Sequence, residues 1–130
     1  MIVFCTHCWA EIDSADQRCR YCGVDLSADP RSYEEKLVAA LQHPLPEARV
    51  RICWLLGENK ILHAVSQLIK LAEHDKDFFV QRAALEALGA MRDPSALPML
   101  RSISRGQNHF LRLTAQRSIE NIELSQGSGQ

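Results

Sequence analysis

From Tyr33 onward, apolar residues recur at intervals of three and four, the spacing that lines one face of an α-helix. The pattern predicts six helices, at about 33–43, 47–58, 62–74, 78–91, 95–105 and 108–124. Pro44 and Pro46 separate the first two, because proline interrupts a helix interior. Ser32 is placed to cap the first helix, and Glu34 and Glu35 suit the positive end of its dipole. The helical text also repeats. Ala48-Arg-Val-Arg-Ile-Cys-Trp-Leu-Leu-Gly57 aligns with Val80-Gln-Arg-Ala-Ala-Leu-Glu-Ala-Leu-Gly89, and more faintly with Leu111-Arg-Leu-Thr-Ala-Gln-Arg-Ser-Ile-Glu120, at offsets of 32 and 31 residues. A second kind of helix lies between these blocks, His63-Ala-Val-Ser-Gln-Leu-Ile-Lys-Leu matching Ser95-Ala-Leu-Pro-Met-Leu-Arg-Ser-Ile. Such a period marks a solenoid of helical hairpins, each of which buries its apolar face only against its neighbours. Leu85 and Leu88 are expected between helices, and Cys53 and Trp54 in the core, which leaves Cys53 without the accessible, electropositive surroundings of a reactive thiol.

The wording inside the repeats resembles HEAT repeats, in particular the short subtype named after phycobilisome lyases. The resembling stretch is Asp77-Phe-Phe-Val-Gln-Arg-Ala-Ala-Leu-Glu-Ala-Leu-Gly-Ala-Met-Arg-Asp-Pro-Ser-Ala-Leu-Pro-Met-Leu. Gly57 and Gly89 then fall near the ends of the first-type helices, where a small residue permits close packing and helix exit, and Pro94 stiffens the turn into the next helix. The third copy departs from the pattern, with Glu120 where the glycine belongs. The resemblance covers roughly residues 36–124.

The chemistry is concentrated at the other end. Cys5 and Cys8, then Cys19 and Cys22, form two Cys-x-x-Cys pairs with ten residues between them. Two such pairs can supply four thiolates to one tetrahedral ion, each pair from a tight turn, with the intervening loop folded back as a short hairpin. Disulfides or redox thiols are the competing readings. No secretory segment precedes the cysteines, and no βαβ pattern surrounds them, so both are disfavoured. Four thiolates accept zinc or iron, so the spacing leaves the metal open between the two. His7 sits between two ligands but is expected to be an exposed turn residue, since four sulfurs already saturate a structural zinc.

Cys-Thr-His-Cys-Trp-Ala-Glu-Ile followed by Cys-Arg-Tyr-Cys-Gly-Val-Asp-Leu resembles the short bacterial and archaeal zinc-ribbon domain. The resemblance implies one structural Zn2+ on Cys5, Cys8, Cys19 and Cys22, with Ile12 and Leu26 packed beneath it. Gly23 fits a position after a metal-binding turn where positive φ is easily reached. Trp9 stands where the family usually has glycine, which challenges the first knuckle's backbone and offers an indole either as a lid over a small core or to a partner. A module of this size offers too little apolar surface to fold without metal.

The expected architecture is therefore mainly α, a short HEAT-like solenoid at 33–124 preceded by a zinc ribbon at 1–28, a linker at 29–32, and a disordered tail at 125–130. Charge alters the functional picture. Residues 1–32 carry three basic and five acidic side chains, and four thiolates on zinc add more negative charge, which disfavours a phosphate-gripping ribbon. Residues 101–117 carry Arg101, Arg105, Arg112 and Arg117 with no acidic side chain, either a docking patch or a solvated terminal face. Five histidines, at 7, 43, 63, 74 and 109, are scattered and expected to face solvent or cap helices. The HEAT-like family includes deoxyhypusine hydroxylases, whose iron site uses His-Glu pairs; here only the reverse, Glu73-His74, occurs. With no phosphate loop, nucleophile elbow or His-x-x-x-His motif, no enzymatic activity is expected.

The expected function is a cytoplasmic, non-enzymatic adaptor for a protein partner, with Trp9, Arg101, Arg105 and Arg112 as candidate contacts and no membrane association. Nucleic-acid binding through the ribbon and C-terminal arginines is one alternative, and an accessory or lyase-like subunit of an enzyme complex another. The last helix has no second helix to complete its hairpin, and Leu111, Leu113, Ile119, Ile122 and Leu124 cannot all be buried if they spread around it. Either part of that helix meets a second copy or a partner, giving a possible homo-oligomer, or the helix is itself the cap, with Arg112, Gln116 and Glu123 in water.

Overall fold

A computed structural model describes residues 1–128 of the chain. Two short strands, β1 (Ile2–Phe4) and β2 (Glu11–Asp13), pair antiparallel with Val3 opposite Ile12. They bracket the turn that holds Cys5 and Cys8, so the hairpin forms around the first cysteine pair and not within the loop between the pairs. A single bridge between Arg18 and Asp25 brackets the second pair in the same manner. Asp29 and Arg31 order the connection to the helices, the guanidinium donating to both carboxylate oxygens at 2.7–3.2 Å. That contact holds the Asp29 carboxyl down to about 2.

Six α-helices follow among the described residues: α1 (Tyr33–Ala39), α2 (Pro46–Glu58), α3 (Val65–His74), α4 (Phe78–Met91), α5 (Leu97–Ser104) and α6 (His109–Ser128). Short 3-10 turns extend α1 and lead into α3 and α5. Ser32 caps α1 in a reciprocal capping box with Glu35. Asp77 caps α4 by accepting from the N–H groups of Phe79 and Val80. The Ser125–Gln130 stretch expected to be a disordered tail is helical as far as Ser128, and the last two residues lie outside the described part.

The solenoid has two layers. Helices α2, α4 and α6 stack directly on one another, while α1, α3 and α5 each pack on a partner in that layer. The close approach has a visible cause. A Cβ added at Gly57 would lie 3.0 Å from Ala87 Cα, and one added at Gly89 would lie 2.8 and 2.9 Å from Ser118 Cβ and Cα. Both pairs occupy the same repeat-equivalent positions. Helix exit, in contrast, is not made by these glycines. It occurs three residues later, at Lys60 and Arg92, whose φ values of 50° and 59° are left-handed.

Two results follow from these backbones. Gly89→Ala is expected to destabilise the fold by about 1–3 kcal/mol, because Ser118 backbone must retreat. Arg92→Gly is expected to stabilise it by up to about 1 kcal/mol by relieving the left-handed strain. Urea titration followed by circular dichroism measures both.

The core runs the length of the stack. Leu37, Ile52, Leu56, Leu68, Leu85 and Leu88 are fully buried, as is Cys53, whose thiol is pushed up to about 12, chiefly by burial. Trp54 corrects the expectation of core packing. It is half exposed, because adjacent helical residues point about 100° apart and Cys53 takes the inward direction. On α6, Leu111, Ala115, Ser118 and Ile122 form the buried stripe and Ile119 is partly buried. Leu113 and Leu124 are exposed, as are Gln116 and Glu123.

Buried and partly buried polar groups tie successive hairpins together. Arg49 Nε and Nη2 donate to the two carboxylate oxygens of Asp75 at 3.0 and 3.2 Å, and Nη1 donates to His43 O at 2.9 Å. Gln81, at the register position equivalent to Arg49, donates to Ala72 O. Ser118 donates to Leu85 O at 2.7 Å. No described helix is long and apolar enough to cross a membrane.

Candidate functional site

The two cysteine turns are built alike. In the first, the N–H groups of His7 and Cys8 point at Cys5 Sγ at 3.4 and 3.5 Å; in the second, those of Tyr21 and Cys22 point at Cys19 Sγ at the same distances. Each turn closes with a backbone bond from the residue after its second cysteine, Trp9 to Cys5 O and Gly23 to Cys19 O. That closure requires a left-handed residue. Gly23 has φ 80° and Trp9 has φ 67°, so tryptophan adopts the glycine conformation. The first knuckle keeps its geometry at a cost of about 1–2 kcal/mol.

The turns face each other. Cys5 Sγ lies 3.7 Å from Cys22 Sγ, Cys8 Sγ lies 3.6 Å from Cys19 Sγ, and all four sulfurs lie within 4.8 Å of one another. These separations are far too long for disulfides, and the described cysteines are all free. They fit an ion held tetrahedrally at about 2.3 Å, for which sulfurs stand about 3.8 Å apart. The donor set is soft, and its charge is prepared by the backbone. The Cys19 thiol is held down to about 6, first by the N–H of Cys22 and then by that of Tyr21. For Cys8 the Ala10 N–H acts in the same direction, but desolvation and the other three sulfurs outweigh it, and the thiol is pushed up to about 12. Cys5 and Cys19 are buried with Val3 and Ile12, while Val24 and Leu26 pack alongside. Cys8 and Cys22 are exposed, as is His7.

The ribbon is docked on the first hairpin of the solenoid. Phe4 belongs to the solenoid core, not to the small cluster under the sulfurs. His43 is buried, which corrects its expected solvent-facing role. Its Nδ1 accepts from Leu45 N–H at 3.1 Å, so the proton sits on Nε2, which donates to Trp9 O at 3.0 Å. The same ring packs against Phe4 and Trp9, with centroids 5.6 and 5.2 Å away. At the surface, Arg51 Nε donates to Glu11 at 2.6 Å. Trp9 therefore serves as a joint between the two parts.

The other candidate contact residues do not join it. Arg101 and Arg105 lie on the last hairpin, where Arg101 pairs with Glu123 at 3.2 Å across α5 and α6. Arg112 lies on α6 beside His109. A different surface draws exposed apolar groups together. Val50, Arg82 and Leu113 occupy equivalent positions on α2, α4 and α6, as do Glu47, Phe79 and Phe110, and Trp54, Glu86 and Arg117. Trp54, Phe79 and Leu113 are each more than 50% exposed. Two clefts flank α4, of about 490 Å³ on the α2 side and about 520 Å³ on the α6 side. Arg82 lies over the rings of Phe79 and Phe110 at 5.3 and 4.9 Å and pairs with Glu86. Apolar periodicity alone does not reveal this face, because it places Trp54 in the core and Phe79 stands out only as part of a repeat. The 32- and 31-residue offsets, applied to the outward positions, were the available signal.

Comparison with known proteins agrees with this architecture. Residues 34–120 match the family model described as HEAT repeats. The chain is 25% identical over 90 residues to phycocyanin operon protein Z of Pseudanabaena tenuis, a match covering 69% of this chain and 44% of that protein. The chain thus spans less than half of that relative's length. The structure of human deoxyhypusine hydroxylase in complex with glycerol superposes with a TM-score of 0.68 at 23% identity, over 74% of this chain and 34% of that one, which is a likeness of fold. With the family model covering most of the chain and the two-layer stack of hairpins in place, the protein belongs to the HEAT repeat family, and carries at its N-terminus a four-cysteine cluster consistent with a zinc ribbon.

Proposed function

We propose that this chain is a non-enzymatic adaptor that binds a protein partner through the α2–α4–α6 face and uses one structural Zn2+ to anchor its N-terminal end. The observation that carries the reading is that face. Trp54, Phe79, Phe110 and Leu113 stand exposed on helices whose inner sides are already packed, and beyond the contact among Phe79, Phe110 and Arg82 they leave apolar surface open to a partner. A rigid stack that presents aromatic anchors suits recognition of another protein. The metal's role follows from its donors. Cys5, Cys8, Cys19 and Cys22 would complete a tetrahedral zinc with no position left for water, which suits a fold-stabilising ion.

Two measurements test the reading. Elemental analysis should find one zinc per chain, released as pH falls and protons compete for the thiolates. Iron in its place would keep the site and change the ion. Crosslinking in extracts of the native source should attach a protein to α2, α4 or α6, and the Phe79→Ser variant should lose it. Crosslinks confined to α1, α3 and α5, or unchanged in that variant, would sink the assignment of the face.

A second reading, an accessory subunit of an enzyme complex, is supported by the likeness to phycocyanin operon protein Z. Copurification with an enzyme or a chromophore would distinguish it.

A further inference from the structure

We propose that the α2–α4–α6 face takes an extended peptide segment of definite polarity: a basic residue over α2, apolar residues across α4, and an acidic residue over α6. This rests on the adaptor reading and specifies the partner's chemistry.

The charge layout on the face sets the polarity. The cleft on the α2 side is lined by Val50, Trp54 and Phe79 together with two carboxylates, Glu47 and Asp77, and no basic side chain. Asp77 is already engaged as the cap of α4, accepting from the Phe79 and Val80 N–H groups, whereas Glu47 has no ion-pair partner among the described residues and is the open carboxylate of this cleft. In the cleft on the α6 side, Arg82 and Glu86 pair with each other and His109 Nδ1 accepts from Arg112, which among the described residues leaves Arg117 as the unpaired cation beside Phe110 and Leu113. One end of the face is thus apolar and acidic, the other apolar and basic, and the centre is neutral. A uniformly basic or acidic ligand meets repulsion at one end, whereas a segment of mixed charge meets attraction at both.

Size selects the form of the occupant. Stacked helix axes stand about 8–10 Å apart, so α2 to α6 spans roughly 20 Å. An extended chain covers that distance in about six residues at roughly 3.3 Å each. Its apolar side chains would enter the two clefts on either side of α4, where Phe79 and Phe110 meet edge to face at 5.4 Å.

Three fluorescent peptides of about twelve residues test this, sharing a Leu-Ser-Phe-Ser-Leu centre. One carries lysines before and glutamates after it, one carries lysines at both ends, and one glutamates at both ends. Anisotropy on the full chain should show the mixed peptide binding at least tenfold more tightly than either other. Arg117→Glu should move the preference to the all-lysine peptide and Glu47→Lys to the all-glutamate peptide; both sites are exposed, so folding should be unaffected. Phe79→Ser should weaken all three. Equal binding of the three peptides, preferences that ignore these charge changes, or competition by oligouridylate would overturn the proposal. So would concentration-dependent self-association abolished by Leu113→Ser, which would make the occupant a second copy. Native crosslinks to this face with no peptide selectivity would retain the adaptor reading and discard the polarity.

Discussion

Cys19→Ser is expected to lose the bound metal, unfold residues 1–28 and lower the melting temperature of the helical array without abolishing its helicity. Metal binding in small thiolate modules supplies about 10–16 kcal/mol of apparent free energy, far more than so few apolar residues provide by burial. Serine retains the shape but not the soft thiolate, and Cys19 is the sulfur to which the Cys22 and Tyr21 N–H groups are directed. The effect should not stop at the ribbon. Phe4 lies in the solenoid core, and His43 is held by Trp9 O, so unfolding the ribbon exposes the first hairpin. Removing one such aromatic from its site costs about 1.5–3 kcal/mol. In a domain of this size each kcal/mol lowers the melting temperature by about 4–8 °C. Elemental analysis with far-ultraviolet circular dichroism reads both parts. Cys53→Ala provides the contrast: it should retain full metal and lose only packing energy. A Cys19→Ser protein with an intact metal equivalent would refute the ligand assignment, and one with an unchanged melting temperature would refute the docking.

Asp75→Ala should destabilise the solenoid by about 3–5 kcal/mol, because it strands the Arg49 guanidinium in a mostly buried site. Asp75 accepts from Arg49 through both oxygens and also receives the Asp77 N–H, so one carboxylate joins the start of α2 to the turn between α3 and α4. Arg49 in turn holds His43 O, so the loss should propagate toward the ribbon. Adding Arg49→Leu should recover much of the stability, since no unpaired charge then remains buried. The surface pair Arg101 and Glu123 sets the scale for comparison, and Glu123→Ala should cost no more than about 1 kcal/mol. Guanidinium denaturation at neutral pH measures all three. A single-variant loss below about 1 kcal/mol would show that the pair is hydrated in solution.

What the sequence determined alone was whatever short-range chemistry dictates. The Cys-x-x-Cys spacing constrains each sulfur pair to one tight turn. The recurrence of apolar residues at three and four places the six helices, with differences confined to their ends and to the longer α6. The repeat offset identifies Gly57 and Gly89 as sites of close approach, and Leu85 and Leu88 as core.

Tertiary structure decided what depends on groups distant along the chain. Arg49 and Asp75 are 26 residues apart, and neither sits in a pattern that announces the other. His43 reads as a solvent-facing or capping residue at the end of the first helix until Trp9, 34 positions earlier, supplies the carbonyl that satisfies its ring. The ribbon's hold on the solenoid rests on Phe4, whose three-residue strand carries no periodicity to show which core it joins. Trp54 looked apolar enough for the interior, but its direction is set by its neighbour Cys53, and one step around a helix is the difference between core and surface. Composition and periodicity report which residues avoid water on average; which neighbour covers each of them is decided only when the hairpins stack.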